Sequence, residues 1–367
     1  MSIMRAARRR VIITLAVSGV ALAAAVALFV GYYGYRGPVS DHFDGSHFYN
    51  AEPGDHTFSD MIKWMWEMKT VDWPEWVDDP KQPAPSARVS DGRLRVTYIN
   101  HATVLLQTDG LNILTDPIWS RRAGPFGWLG PARVRAPGIP IDGLPPIDYI
   151  LISHDHWDHL DLPTLETIVT RDHPTILTGL GVKSLLPDEV AQNAVELDWW
   201  QSTSPSNGGM VFTFVPARHQ SGRWPLVENK TLWGGFIIES PSGDQVYYAG
   251  DTGYGSFLES IHARFNRIRL AVVSIGNYEK RWIMKSQHMN PDDAVRAHVL
   301  LRAGQSMGMH YATFAEHPEQ TIDAHERDLA AALSEHSVQA SEFWILKFGE
   351  GRDVPPLGAA RQPESLH

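Results

Sequence analysis

The stretch that decides the fold is DYILISHDHWDHL, residues 148–160. Its first five residues form a short apolar run with β-branched and aromatic side chains, and read as a buried strand. The strand leads directly into His154-Asp155-His156-Trp157-Asp158-His159, where His154, His156, Asp158 and His159 offer donor atoms to a metal. Imidazole and carboxylate are the ligands zinc takes when no thiolate is present, and the chain has no cysteine. A loop of this kind can aim alternate residues at one metal and the following pair at a second, about 3.5–4 Å away as in two-metal hydrolases. The plain alternative is a histidine-rich surface loop, and the buried strand just before it argues against that.

Further along the chain, donor residues follow the ends of other expected strands. Residues 94–99, 103–107 and 112–114 read as strands, with Asp109-Gly110 as a hairpin turn. Residues 211–215 form a strand that ends at Pro216-Ala217-Arg218-His219. Residues 236–239 and 245–248 form a hairpin whose second strand ends at Gly250-Asp251, where glycine lets backbone approach closely. Residues 270–275 and 306–309 are further strands, the last ending at His310. Asn290-Pro291-Asp292-Asp293 starts a helix with a cap, a proline in its first turn and acids at its positive end; the helix stops at Gly304. A lone His or Asp after a strand is more often a satisfied polar residue than a ligand. With the 154–159 cluster, and in this order, His219, Asp251 and His310 read as ligands. The layered α/β pattern puts all of them where such folds build sites, at strand ends.

The order H-x-H-x-D-H, His, Asp, His is similar to that of the metallo-β-lactamase superfamily. The surrounding sequence resembles one branch of it, the N-acyl-phosphatidylethanolamine-hydrolysing phospholipases D. The segments that carry this are VTYINHAT (96–103), LTDP (114–117), LPPID (144–148), ELDWW (196–200), AGDTGY (249–254), IGNYEKRW (275–282) and MKSQH (284–288). The resemblance covers about residues 90–315. It implies a four-layer αβ/βα sandwich and two zinc ions, with other divalent transition metals able to occupy the same donors. It implies His154, His156 and His219 on one ion, Asp158, His159 and His310 on the other, and Asp251 bridging them. It also puts Gln287 and His288 beside the site, with a phosphate-binding or proton-donating role for His288; a loop histidine near a helix cap is the alternative. Trp157 is expected at the substrate mouth, His101 and Asp116 behind the ligands as orienting groups, and Asp155 turned away from both metals. Residues 120–135 (SRRAGPFGWLGPARVR) follow the pattern only loosely. There, Phe126, Trp128 and Leu129 read either as a membrane-facing rim or as a packed loop.

The chain has 367 residues, 43% of them apolar and 20% charged, enough for a large packed domain. A net charge of −10 argues against a nucleic-acid backbone as partner. Arg5, Arg8, Arg9 and Arg10 precede an uncharged stretch over 11–35, whose first 20 residues are apolar enough to cross a bilayer as a helix. The length of that run favours an uncleaved anchor over a cleaved signal peptide. The arginines put residues 1–10 in the cytoplasm and the catalytic domain on the far side, periplasmic if the source is bacterial. Tyr32, Tyr33 and Tyr35 are expected at the membrane interface. Residues 36–88 form a Pro- and Trp-rich extension with a short amphipathic helix over 59–69, capped by Ser59 or Asp60. Its Met61, Trp64 and Trp66 either pack on the main domain or touch lipid. The catalytic domain is expected over 89–352 and a loose tail over 353–367.

The expected reaction is metal-assisted attack of hydroxide on a phosphodiester of a membrane phospholipid, giving phosphatidic acid and an N-acylethanolamine. Asp251 and His288 are the catalytic candidates, and Trp157, Gln287 and His288 the substrate contacts. Hydrolysis of a lactone or another carboxylic ester is the alternative with the same metals. A non-catalytic, membrane-associated metal-binding protein is the second alternative, and the complete ligand set speaks against it.

Overall fold

The computed structural model describes residues 31–52, 58–67, 71–204, 209–224, 227–315 and 319–358, together with Ser18. Strands β1 (Leu94–Asn100), β2 (Thr103–Thr108), β3 (Leu111–Thr115), β4 (Tyr149–Ile152), β5 (Thr175–Gly179) and β6 (Ala194–Leu197) share a seven-stranded sheet with β14 (Gly351–Val354). The second seven-stranded sheet holds β7 (Ser202–Thr203), β8 (Val211–Val215), β9 (Gly235–Glu239), β10 (Gln245–Tyr248), β11 (Ile268–Ser274), β12 (Gln305–Met309) and β13 (Phe343–Trp344). Each sheet is antiparallel on one side and parallel on the other. In the first, β14, β1, β2 and β3 pair antiparallel, and β3 to β6 parallel. In the second, β7 to β10 pair antiparallel, and β10 to β13 parallel.

Alternation along the strands makes the layers. Val104 and Leu106 of β2, with Tyr149 and Leu151 of β4, face the core between the sheets, where Phe212, Phe214, Phe236 and Tyr248 meet them. Leu105, Ile150 and Ile152 face outward, onto Leu165, Ile168 and Val169 of helix Leu162–Asp172. On the other side, helix Pro291–Leu301 packs Ala294, Val295 and Ala297 against the second sheet. Its cap is the expected one: Asn290 accepts a hydrogen bond from the Asp293 backbone N–H, with Pro291 following. The helix ends at Leu301, with Arg302 in the left-handed region, three residues before the expected stop. The result is the expected helix–sheet–sheet–helix order.

The ends of the chain differ from expectation. Of residues 11–35, the expected anchor, 11–17 and 19–30 lie outside the described residues, while 31–35 are described and meet the domain through Tyr33 and Tyr35. Among the described residues no helix is long and apolar enough to cross a membrane. The three tyrosines expected at a membrane interface divide. Tyr32 is 68% exposed, whereas Tyr33 is buried and donates to Asp155 Oδ2 at 2.8 Å. Tyr35 packs on Phe43 and Phe48. A buried tyrosine hydroxyl needs a hydrogen-bond partner, and for Tyr33 Asp155 supplies it. The extension is docked on the domain. Phe43 and Phe48 enter the main core, His42 Nε2 lies 2.7 Å from Asp198 Oδ1, and Trp73 Nε1 donates to the Gln320 carbonyl. Its helix spans Phe58–Glu67, with Trp66 87% exposed and Lys63 over the Trp282 ring; the side chain of Met61 is not among those described. Residues 353 and 354, expected in a loose tail, belong instead to a strand, since 351–354 pair with β1 through Leu94↔Val354 and Thr97↔Gly351. Residues 359–367 lie outside the described residues.

Candidate metal centre

Four strands deliver the donors. β4 ends at Ile152, and the following turn carries His154, His156, Asp158 and His159. His219 follows β8, Asp251 follows β10 and His310 directly follows β12. Close approach between these ends depends on small residues. A side chain at Gly250 (φ +60°) would stand 2.6 Å from Ser153 Cβ, and one at Gly276 would stand 1.6 Å from the His310 carbonyl oxygen. His101, Asp116, Asn277 and His310 themselves hold positive φ angles of 46°, 30°, 59° and 63°. Such backbone is costly for non-glycine residues and is kept where surrounding contacts over-determine it. Here the His310 N–H donates to the His101 carbonyl, and the His101 N–H to Thr313 Oγ1.

The donors form two neighbouring sets. In the first, His154 Nε2 and His219 Nε2 lie 2.9 and 3.3 Å from His156 Nδ1. The other ring nitrogens fix the tautomers: His154 Nδ1 donates to Ser153 Oγ, and His219 Nδ1 to the Gln287 carbonyl. Three nitrogens thus converge, at least two of them with bare lone pairs. Burial and the neighbouring imidazoles hold His154 well below the ordinary imidazole pKa, and burial beside His156 brings His219 down to about 3. In the second set, His159 Nε2 and His310 Nε2 each stand 3.3 Å from Asp158 Oδ2. They stand 3.3 and 3.0 Å from Asp251 Oδ2. Asp251 Oδ2 is also 4.0 Å from His219 Nε2, so it lies between the sets.

The residues fit a bound cation. Asp251 Oδ1 and His159 Nε2 are buried with no hydrogen-bond partner. Burial would lower the His310 pKa, but Asp251 and Asp158 outweigh it and hold it near 10. The same two carboxylates keep His159 protonated against its burial. Carboxylates that raise their own neighbouring imidazoles mark a place that calls for positive charge, which a divalent metal would supply while displacing those protons.

Behind the donors stands a layer of orienting groups. Asp116 accepts from His159 Nδ1 (2.7 Å), Tyr248 Oη (2.6 Å), Ser153 Oγ (2.5 Å) and the Ser153 N–H (2.8 Å). His101 Nε2 donates to Asp158 Oδ2 at 2.9 Å. Asp155 faces away from the donors as expected, bound by Tyr33 and by the Gly222 N–H. Three links were missed from sequence. Asn50 accepts from the His219 N–H and donates to the His219 carbonyl, Arg223 donates to the carbonyls of Asp155 and Leu160, and Tyr33 holds Asp155. No local pattern marks Asn50 or Tyr33, since each acts more than 100 residues away.

A cleft of about 590 Å³ opens over the donors, lined by His156, Trp157, Asp158, Asp251, Asn277 and His288 with Ala123, Pro131 and Ala315. Trp157 lines the cleft, its Nε1 donating to the Arg223 carbonyl and its ring under the Arg223 guanidinium. His288 faces the cleft with Nδ1 3.7 Å from Asp251 Oδ2. Gln287, expected as a substrate contact, is not part of the lining; it acts through the carbonyl that orients His219.

Residues 111–311 match the family model of the β-lactamase superfamily domain, and with this donor set the chain belongs to the metallo-β-lactamase superfamily as a metal-dependent hydrolase. Within it the chain resembles the N-acyl-phosphatidylethanolamine-hydrolyzing phospholipases D. It is 35% identical to phospholipase D 1 of that type from Caenorhabditis elegans over 235 residues, 61% of this chain and 65% of that protein. An uncharacterized protein of Mycobacterium tuberculosis is 37% identical over 292 residues, 77% of this chain and 75% of that one. Among solved structures, a metallo hydrolase of the archaeon Ignicoccus hospitalis superposes with a TM-score of 0.54 at 20% identity, over 72% of this chain and 99% of that one. That likeness concerns the fold.

Proposed function

We propose that the protein is a phospholipase D-type phosphodiesterase that hydrolyses N-acyl-phosphatidylethanolamine in a membrane to phosphatidic acid and N-acylethanolamine. The observation that carries this is a set of seven donors, with Asp251 between its two groups, beside a cleft lined by His156, Asp158, Asp251 and His288. The 35% identity to a phospholipase D of that specificity supports the substrate. His154, His156 and His219 would hold one zinc ion and Asp158, His159 and His310 a second, with Asp251 shared. Two zinc ions, when bound, lower the pKa of water and stabilise charge developing on the phosphate oxygens.

The chain's own groups handle the protons. Asp251, between the two donor groups, would hold the attacking water for proton transfer. His288 Nδ1, 3.7 Å from the same carboxylate, passes a proton on to the leaving alkoxide of the N-acylethanolamine. Asp116 keeps His159 in the tautomer that leaves Nε2 available. The apolar stretch 11–30 anchors the chain in the bilayer, with residues 1–10 cytoplasmic and the catalytic domain on the far side.

The test compares wild type and Asp251→Asn, each loaded with zinc, on N-acyl-phosphatidylethanolamine vesicles, a chromogenic phosphodiester and a panel of lactones. Phosphatidic acid released by the wild type alone supports the proposal. Lactone opening without phosphodiester cleavage would overturn it in favour of an ester hydrolase. Inactivity on all three would favour a non-catalytic metal-binding role.

A further inference from the structure

We propose that the loop 124–130 is a membrane wedge, inserting Phe126, Trp128 and Leu129 into a phospholipid bilayer beside the mouth of the cleft. These three side chains are 70%, 69% and 50% exposed, a cluster of apolar surface that soluble proteins rarely leave without a partner.

The loop is built to keep them out. Its base is tied by hydrogen bonds from the Ala123 N–H to the Pro131 carbonyl, from the Arg133 N–H to the Arg121 carbonyl and from Arg122 to the Gly130 carbonyl. Its two arms touch so closely that a Cβ on Gly124 would lie 2.3 Å from the Leu129 carbonyl oxygen, and one on Gly130 2.1 Å from that of Ala123. At the tip Phe126 takes a left-handed backbone (φ 61°) within the short 3-10 turn Pro125–Gly127. The turn holds the aromatic tip away from the loop's own base.

Position supplies the occupant. The Phe126 ring stacks with Trp128 and packs on Trp224, and Trp224 meets Trp157 at the cleft. Ala123 and Pro131, the two feet of the loop, line the same cleft. The neighbouring Arg223 is bound to the carbonyl of Asp155, which Tyr33 holds from the other side. Tyr33 is where the chain enters this part of the protein after the apolar stretch 11–30, with Tyr32 exposed beside it. Tyr33, through Asp155, and the loop, through Trp224 and Trp157, thus meet the same metal-binding turn 154–159. Arg121, exposed at the foot of the loop with its guanidinium over the Trp76 ring, is suited to the phosphate level. Tryptophan and an arginine at the rim with apolar tips beyond them is the pattern of an interfacial contact. A bilayer meeting the loop would lie against the mouth, so a phospholipid could reach the donors without leaving the membrane entirely. The reading rests on the proposed lipid reaction only for its purpose; the contact itself stands on geometry.

Because the chain has no cysteine, one can be introduced and labelled singly. Full-length Leu129→Cys carrying a nitrobenzoxadiazole probe, reconstituted in phosphatidylcholine vesicles, should emit blue-shifted light and be quenched by lipids brominated on their acyl chains. The same probe at Val195→Cys, exposed on edge strand β6, should show neither effect. In vesicles with the label at Phe126→Cys, adding Trp128→Ser should reduce the brominated-lipid quenching severalfold, since each inserted ring contributes about tenfold to partition. A water-like, unquenched probe at residue 129 in vesicles would overturn the proposal. Both readouts report lipid contact whether or not a phosphodiester is cleaved, so failure of the reaction and failure of the wedge are distinguishable.

Discussion

Replacing Asp116 by asparagine alters a group that touches no cleft surface, yet its effect on metal binding should be large. Asp116 Oδ2 faces three donors: His159 Nδ1, Tyr248 Oη and Ser153 Oγ. An amide that keeps an acceptor for the Ser153 N–H turns its NH2 toward those three. The two hydroxyls can rotate, but His159 must either face a donor or move its proton to Nε2, the nitrogen that binds metal. Burying one such unpaired donor costs about 1–3 kcal/mol. Loss of an orienting partner behind a ligand typically lowers metal affinity by about 10–100-fold, or roughly 1.4–2.7 kcal/mol. Competition with a chromogenic chelator measures this directly, with circular dichroism to show that the variant folds. Tyr248→Phe removes one donor and leaves the His159 tautomer alone, so its affinity should stay within about threefold. Asp116→Asn that binds zinc within twofold of wild type would refute the reasoning.

Three further outcomes are expected. Asn50→Ala removes both hydrogen bonds to the His219 backbone; it should lower zinc affinity by about tenfold while costing roughly 1–3 kcal/mol in denaturant unfolding. Gly276→Ala puts a methyl group onto the His310 carbonyl, so unfolding experiments should show destabilisation of about 3 kcal/mol or more, with loss of bound metal. The docking of the extension depends on pH through His42, whose burial is outweighed by Asp198 and Asp41 so that its pKa is raised. A raised imidazole stabilises fully below its unfolded pKa and loses this as pH rises through the folded value. Melting temperatures of wild type and His42→Gln should therefore differ more at pH 6 than at pH 9, and an equal difference at both would count against the ion pair.

The donor set was legible because each ligand follows a strand whose alternation or apolar run is strong: β4, β8, β10 and β12 all end where their sequences said. Strands β5, β6, β7 and β13 were missed. Residues 175–179 and 194–197 are short and carry Thr, Gly and Glu, and β13 has only two residues, so none shows a clear period. Strand β14 was hidden by the prolines that follow it, Pro355 and Pro356, which suggested a loose tail. The supports from Tyr33 and Asn50 were invisible for a different reason. They join positions 122 and 169 residues apart in the chain, and their stretch of sequence has no repeating pattern from which a contact could be read. Gln287 shows the limit of carrying a residue over by motif. The residue meets His219 through its backbone carbonyl, a contact that any residue there supplies and that no side-chain motif encodes.

The central claim is that water attacks phosphorus in a membrane phospholipid at these donors. The most direct measurement is hydrolysis of N-acyl-phosphatidylethanolamine vesicles in 18O-enriched water by zinc-loaded protein, with mass spectrometry of the products. One heavy oxygen in phosphatidic acid and none in N-acylethanolamine is the predicted result. Heavy oxygen in a released fatty acid, with no labelled phosphatidic acid, would contradict it.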